Sequence, residues 1–374
     1  MRVGIDARTL FSPVLKGIGV YLQNLIRELL RLDQDTRYVL YYDPRQETLE
    51  RGPVDPRVQI RPVRISKGDR YHLWEFAALP AAIRRDALDL FHSPANTAPP
   101  FLRVPRIITV HDTTLQEMQH RCWQDRLYYR KIQPAIARRA AKIVTVSQVS
   151  GQRIRSRMAI PESKIRVIPN GIGSEFRVQE SGEILEKLGA RYGIGGPYIF
   201  NAGGESPWKN AARLIEAFHG ARLPLKLVIS GIRTESIRSG LLQQIEALSL
   251  SGKVIILPYV SAEELIALYN GARFFVYPSL MEGFGFPPLE AMACGTPVAA
   301  SRSASIPEVS GDAAFYFDGQ QAVSIMEALV RMHEDNKLRE DLRAKGFQQA
   351  ARYTWRRTAQ WTHELYEEVM REKK

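Results

Sequence analysis

Pro278-Ser279-Leu280-Met281-Glu282-Gly283-Phe284-Gly285-Phe286-Pro287-Pro288-Leu289-Glu290 continues into Ala291-Met292-Ala293-Cys294-Gly295-Thr296-Pro297. The stretch follows the apolar run Phe274–Pro278 and leads into another, Val298–Ser301. Short continuous apolar runs of this kind read as strands buried on both faces, and Leu289–Ala293 between them has helical character. The result is a strand, a glycine-rich loop, a helix and a parallel strand, the unit from which wound α/β sheets are built. The same rhythm extends outward in both directions. Strands are expected at Tyr198–Asn201, Leu225–Gly231 and Val254–Leu257, with helices near Ala211–Ala221, Leu241–Ser249 and Glu263–Asn270. Ser261-Ala262-Glu263-Glu264 has the capping-box pattern that fixes the start of the last of these. Toward the amino terminus, strands are expected at Val3–Asp6, Tyr38–Tyr42, Leu88–Phe91, Ile107–His111, Ile143–Val146 and Val167–Ile168. Helices around Val20–Leu32, Leu73–Arg84 and Asp125–Arg139 lie between them, and three helical stretches close the chain. The alternation, used twice, predicts two doubly wound, Rossmann-like α/β domains, with the polar stretch 171–196 as linker.

Composition narrows the function. The 374 residues are 45% hydrophobic and 25% charged, ordinary globular usage that excludes fibrous and disordered classes. Two cysteines, Cys122 and Cys294, build neither a disulfide framework nor a structural zinc site and read as buried or incidental. With no signal-like start and no long apolar run, the expected location is cytoplasmic. The net charge of +12 is unevenly placed. Residues 1–175 carry 29 Lys+Arg and 17 Asp+Glu, whereas residues 176–374 carry 23 of each. Basic pairs at Arg84-Arg85, Arg130-Lys131 and Arg138-Arg139 give the first half either a solvated face or a patch for an anionic membrane surface.

In wound sheets, ligands bind outside the carboxyl ends of the strands, so the residues just after each strand carry the chemistry. After the first strand, Gly17-Ile18-Gly19 opens a helix, where Gly17 and Gly19 would let backbone approach a phosphate. The third glycine of a dinucleotide fingerprint is missing, as is the acidic residue that should follow, which argues against a nicotinamide dehydrogenase. His92 and the pair His111-Asp112 end strands, where an imidazole could hydrogen-bond a ligand or donate a proton. In the second half, Gly203-Gly204-Glu205-Ser206-Pro207-Trp208-Lys209 offers a phosphate loop with Lys209 as point charge. Glu282, in the glycine loop, and Glu290, expected on the first turn of the next helix, flank a second anion site. Two carboxylates beside a phosphate site suit a ligand that has hydroxyls as well as phosphates, as a nucleotide sugar does. Asp33-Gln34-Asp35, the one Asp-x-Asp, sits at a helix end and reads as a polar terminus; no metal site is expected.

These residues resemble the retaining glycosyltransferases of family four, whose two-domain fold is called GT-B. The stretch from Leu257-Pro258-Tyr259-Val260 to Pro307-Glu308-Val309 matches that family's carboxy-terminal signature, with Glu282 and Glu290 at its E-x7-E positions. Gly17-Ile18-Gly19, His111-Asp112, Val146-Ser147, Pro169-Asn170-Gly171 and the closing Tyr353-Thr354-Trp355 resemble other parts of the family pattern. The resemblance implies two domains facing a central cleft: 1–175 for the acceptor, 176–355 for the nucleotide sugar, and a terminal helix, 356–374, returning to the first. It implies that His111, Lys209 and Glu282 are catalytic. Donor contacts would come from Gly17, Gly19, Gly204, Lys209, Tyr259, Val260, Glu282, Gly283, Phe284, Gly285 and Glu290, and acceptor contacts from His92 and Asp112. No cofactor is implied beyond the donor itself, and no metal. The implied partners are a nucleotide sugar and a saccharide or lipid-linked acceptor, with an anionic membrane surface against the basic half and no nucleic acid. The loop phrase looks most like bacterial mannosyl- and related hexosyltransferases of surface-polysaccharide assembly, which favours GDP-mannose over a UDP-sugar. Many relatives carry an arginine in the loop ahead of the lysine; here those places read Gly204, Glu205 and Trp208. The alternatives are a UDP-sugar-dependent hexosyltransferase of the same fold and a non-catalytic sugar-nucleotide-binding protein.

Overall fold

The computed structural model describes residues 1–12, 17–44, 52–64, 73–117 and 123–373; Cys122 lies outside them. The chain divides into two compact units. The first is Met1–Gly171 together with the chain from Thr354 onward, and the second is Ile172–Tyr353.

The first unit holds a seven-stranded sheet: β1 (Arg2–Asp6), β2 (Arg37–Tyr42), β3 (Val58–Pro62), β4 (Leu90–Ser93), β5 (Arg106–Thr109), β6 (Lys142–Thr145) and β7 (Ile165–Val167). Their order is β3-β2-β1-β4-β5-β6-β7, and every pairing is parallel. The second unit holds β8 (Tyr198–Ala202), β9 (Lys226–Ser230), β10 (Val254–Ile256), β11 (Phe274–Tyr277), β12 (Val298–Ser301) and β13 (Ala314–Phe317). Their order is β10-β9-β8-β11-β12-β13, again all parallel. Each sheet winds outward in both directions, and the reversals fall between β1 and β4 and between β8 and β11. Those switch points are where a wound sheet leaves a crevice for ligand.

Continuous apolar runs make these strands because both faces are covered. Ile199, Leu227, Ile229, Phe274 and Val276 are fully buried in one core with Leu214, Ile215 and Phe218 of helix Ala211–Ala221. Ser261 and Glu264 make the reciprocal bonds of the expected capping box, starting helix Ala262–Gly271.

Several expectations need revision. The stretch 171–196 is not a plain linker, because Gly182–Tyr192 is helix. Strands β3 and β13 lie outside the expected set: polar residues interrupt β3, Val58–Pro62, whereas β13, Ala314–Phe317, is a continuous apolar run that the reading missed. The helices expected over Leu73–Arg84 and Asp125–Arg139 contain π-helical turns at Trp74–Ala78 and Tyr128–Ile132. In both cases the α-helix after the turn has a proline in its first positions, Pro80 and Pro134. A proline there has no N–H to continue the ladder, which fits a local change of pitch.

Helix Trp355–Glu372 is anchored within the first unit. Tyr366 bonds His92, Thr358 Oγ1 donates to the Pro169 carbonyl at 2.7 Å, and Lys142 pairs with Glu368 at 2.7 Å. Its start abuts Gly171 so closely that a β-carbon there would lie 2.1 Å from the Trp355 amide nitrogen. Backbone cannot yield as a side-chain tip can. Gly171→Ala is therefore expected to destabilise the first unit by about 1–3 kcal/mol. Urea denaturation should show a lowered midpoint, and an unchanged midpoint would contradict the packing.

Candidate active site

The second unit places its polar groups at the carboxyl ends of its two central strands. After β8 the chain turns through Gly204, whose φ of +95° suits glycine, and reaches Lys209 at the end of a short 3-10 turn, Pro207–Lys209. After β11 it runs into Ser279 and Glu282. The two loops are stitched together by their backbones: the Leu280 amide donates to the Trp208 carbonyl at 2.8 Å. Asn210 Nδ2 donates to the carbonyls of Pro278 and Gly319. This brings together two residues 73 apart in sequence, since Lys209 Nζ lies 2.7 Å from Glu282 Oε1. The same carboxylate oxygen accepts from Tyr277 Oη at 2.7 Å and Ser279 Oγ at 2.5 Å, and Lys209 also donates to Tyr277 Oη at 2.9 Å. Burial and the neighbouring Glu282 raise the Tyr277 phenol well above its ordinary value, so it stays a neutral donor.

The glycine loop is pinned from below by Ser305, fully buried, whose hydroxyl bonds the carbonyls of Glu282 and Phe284. Gly285, at φ +102°, caps helix Phe286–Ala293. Two adjoining prolines, Pro287 and Pro288, have no N–H to offer, so an anion here would meet only the loop amides ahead of them, around Gly283, Phe284 and Gly285. Glu290 stands one residue beyond the first turn, not on it. Tyr269 Oη donates to Glu290 Oε2 at 2.9 Å. Burial nevertheless lifts the Glu290 carboxyl to about 7, and Glu175 adds to the rise. The two glutamates thus sit in different surroundings: Glu282 has a cation and two hydroxyl donors, while Glu290 has one phenol and a desolvated pocket.

Glu205 does not intrude on the phosphate loop. Its carboxylate accepts from the backbone amides of Arg233 and Thr234 and from Thr234 Oγ1, at the start of helix Glu235–Ala247. Those bonds, led by the one from the Thr234 hydroxyl, lower its pKa. Arg233, which the sequence reading passed over, follows β9 and holds its guanidinium 4.6 Å above the Tyr259 ring. Tyr259 is 67% exposed, and Val260 beside it is half-buried. The loops after β8 and β9 touch, since a β-carbon on Gly231 would meet the Gly204 amide nitrogen at 3.0 Å. A signal for Arg233 was available in its place just after a central strand, but an isolated arginine has no spacing to mark it.

In the first unit, Gly17 is the first residue of helix Gly17–Leu32 and exposed, with Gly19 buried behind it. His111 follows β5. Its Nε2 donates to the Pro94 carbonyl at 2.9 Å, its backbone amide donates to Asn96 Oδ1, and Tyr21 packs edge-on at 4.9 Å. Burial lowers its pKa against the pull of that carbonyl and of Asp112. The ring is therefore neutral with Nδ1 as its acceptor, suited to receive a hydroxyl proton bond and not to donate a proton. Asp112 caps the short helix Thr114–Glu117 through the Thr114 amide, 2.9 Å away.

His92 does not fit the acceptor role. It is fully buried, with Nδ1 2.6 Å from Tyr366 Oη and Nε2 2.8 Å from Thr109 Oγ1, so no ring atom is left for a ligand. Burial holds its pKa down to about 3, and the ring serves as a neutral bridge to the terminal helix. Cys294 is buried, which pushes its thiol up to about 12 and keeps it unreactive. Asp33 receives the Asp35 amide and the Thr36 hydroxyl, the polar helix end expected of it. Among the described residues no group of three or more metal-ligating side chains comes together.

Comparison with known proteins places this arrangement. Residues 192–349 match the model for glycosyl transferases group 1, and residues 15–176 match the model for glycosyltransferase family 4. The chain is 30% identical over 287 residues to O-antigen chain mannosyltransferase B of Escherichia coli, covering 75% of each chain. It is 26% identical over 337 residues to the MMP alpha-(1->4)-mannosyltransferase of Mycolicibacterium hassiacum, covering 79% of this chain and 80% of that one. Among solved structures, HepE of Anabaena in complex with UDP and glucose superposes with a TM-score of 0.79 at 19% identity, over 98% of this chain and all of that one. WaaG, a glycosyltransferase involved in lipopolysaccharide biosynthesis, gives 0.75 at 13%, over 98% of this chain and 99% of that one. The fold is therefore GT-B, and the chain belongs to glycosyltransferase family 4.

Proposed function

We propose that the enzyme is a retaining hexosyltransferase that moves mannose from GDP-mannose to a saccharide or lipid-linked saccharide, in surface-polysaccharide or glycolipid assembly. The observation that carries the reading is the Lys209–Glu282–Tyr277 cluster at the switch point of the second sheet. The mannosyltransferase names of the relatives at about 30% identity support the choice of sugar.

In this reading Lys209 neutralises the departing diphosphate, an electrostatic role that needs no metal and no enzyme nucleophile. It already shares its charge with Glu282, so the donor must compete for it, and Glu282 is then turned toward the hydroxyls of the sugar. Gly204, Gly283, Phe284 and Gly285 supply close backbone approach, Tyr259 and Val260 the rim beside the base, and Glu290 the ribose contact. Arg233, on the loop touching Gly204, is placed to supply the cation absent from the β8 loop. In the first unit, the residues proposed for ligand contact are Gly17, Gly19, His111 and Asp112, with His111 Nδ1 as a hydroxyl acceptor.

The basic half is proposed to face an anionic membrane. Trp123 and Leu127 are exposed, and Arg126, Arg130 and Lys131 lie on the same run of helical turns, a mixture of apolar anchors and cations that suits a lipid interface. No helix among the described residues is long and apolar enough to cross a membrane.

Four experiments test this. A thermal-shift panel of GDP, UDP, ADP and their sugar conjugates should show stabilisation by GDP and GDP-mannose, lost in Glu290→Ala. UDP compounds acting instead would transfer the proposal to a UDP-sugar, and no response to any nucleotide would favour a non-catalytic reading. Lys209→Ala should lower kcat by on the order of 100-fold or more with a smaller change in KM, since its charge matters most as the leaving group departs. Loss of KM alone would make it a mere binding contact.

Glu290 supplies a pH test. Its folded carboxyl, raised to about 7, binds a proton between its ordinary range and pH 7 that the unfolded chain has already lost. Its contribution to stability is therefore full at low pH and falls as pH rises through 7. Glu290→Gln, which mimics the protonated acid, should melt on the order of several degrees above wild type at pH 8 and close to it only below the carboxyl's ordinary value of 4.5. Parallel melting curves at both ends of this range would contradict the shift. Liposome sedimentation completes the set: anionic vesicles should retain the protein at low salt better than neutral ones, and replacing Arg126, Arg130 and Lys131 by Gln should abolish the difference.

A further inference from the structure

At the amino ends of β11 and β12, opposite the strand ends that carry Lys209 and Glu282, the second unit contains a cavity of about 340 Å3. Arg273, just before β11, lines it together with Arg339 and Arg343 from helix Asn336–Ala350. Among the described residues none of these three guanidinium groups has a carboxylate within 4 Å, although arginines elsewhere in the chain do; Arg331, nearby, holds Asp335 at 2.7 Å. One carboxylate, Glu340, also lines the cavity, and Cys294 contributes a thiol that burial keeps neutral. Among the lining residues three arginines thus stand against one carboxylate, with Asp335 acting on Arg339 from beyond the lining.

Part of this cluster has a structural task. Arg273 Nη2 donates to the His333 carbonyl at 3.1 Å, and Arg339 Nη1 donates to the carbonyls of Met332 and His333. Both thereby cap the carboxyl end of helix Ala322–Glu334, where the helix dipole favours cations. That task leaves much unused. Arg273 Nε is buried with no hydrogen-bond partner, and Arg343 takes no part in the cap, lying 5.9 Å from the Phe347 ring. Burial and then the like charge of Arg273 depress the Arg339 pKa, against the opposing pull of Asp335 and Glu340.

We propose that this cavity is a second ligand site, separate from the donor loops, that binds a phosphate group: inorganic phosphate or the phosphate ester of a small molecule. Planar guanidinium forks match phosphate oxygens in pairs, and a dianion in the cavity would relieve the repulsion between the three arginines that line it. The volume admits a small ester as well as the bare ion.

Hydrogen exchange on the whole protein tests the site without depending on activity. Inorganic phosphate and glucose 6-phosphate are added separately, each against sodium chloride of equal ionic strength. The expected result is slowed exchange in peptides covering residues 336–343 and 270–273. In Arg343→Gln, whose side chain is exposed and whose fold should survive, the concentration needed should rise by about tenfold or more. Arg273→Gln should do the same, and Lys209→Met should leave the effect intact. Slowing by both ligands identifies phosphate as the recognised group, and slowing by the sugar ester alone assigns the site to phosphate esters. The proposal is overturned if neither ligand slows these peptides, if slowing is confined to residues 203–210 and 282–290, or if Arg343→Gln responds as wild type does.

Discussion

Phe200 lies directly across from Phe275 because β8 and β11 pair in parallel, and the chemistry of the second unit depends on that pairing. The strands are separated by two whole strand–helix excursions, through β9 and β10, which are wound to one side. Their pairing puts the loop that ends in Lys209 beside the loop that holds Glu282. Asn201, buried at the end of β8, reaches across to the Val276 carbonyl at 2.8 Å and fixes the register where it matters. Ser301, at the end of β12, bonds the Ser279 carbonyl and holds the same loop from the other side. A wound parallel sheet cannot satisfy its strand-end loops by hairpin bonding, so they bond to one another. That cross-stitching gives the polar cluster a rigid base.

The two glutamates show how one motif yields different groups. Glu282 is held by an ammonium, a phenol and a serine hydroxyl on a single oxygen, which leaves its other oxygen for a ligand. Glu290 meets mostly apolar surroundings and one phenol, so its proton is shared near neutral pH. Spacing alone makes them look equivalent; the environment separates them, because desolvation opposes charge on Glu290 whereas Glu282 is hydrogen-bonded to Lys209, Tyr277 and Ser279.

What could be read in the chain follows the strength of its periodic signals. Central strands announce themselves, because burial on both faces demands continuous apolar residues; Val3–Asp6 and Phe274–Pro278 were legible for that reason. Edge strand β3 was not, because Gln59 and Arg61 alternate with its apolar residues, while the short apolar run of β13 carried a signal that went unread. Helix Gly182–Tyr192 was taken for linker because only Leu188 of its residues is buried, too narrow a stripe to read. Lys209 and Glu282 stand out in the sequence by their places after strands, whereas the ion pair joining them is a product of sheet order and has no local sequence sign. His92 shows the reverse error. A strand-end histidine looks like a ligand contact, but a tyrosine 274 residues away claims its ring, and no local pattern announces that.

The same contrast between partnered and unpartnered charge separates the two ends of the second sheet. Residues 176–374 have no net charge, yet the charge is not evenly neutralised. At the carboxyl ends, Lys209 has its counter-ion within 2.7 Å and Glu205 is satisfied by amides, so in the proposed function an arriving diphosphate would exchange one set of partners for another. At the amino ends, Arg273, Arg339 and Arg343 are crowded around a cavity with helix carbonyls as their main company. Carbonyl dipoles can hold a guanidinium in place but cannot cancel its charge at the distance of its neighbours. An exchange of partners leaves affinity moderate and suits a substrate that must leave again after reaction. An unmet cluster offers a net gain on binding, which suits a ligand that is to remain bound while the chemistry proceeds elsewhere.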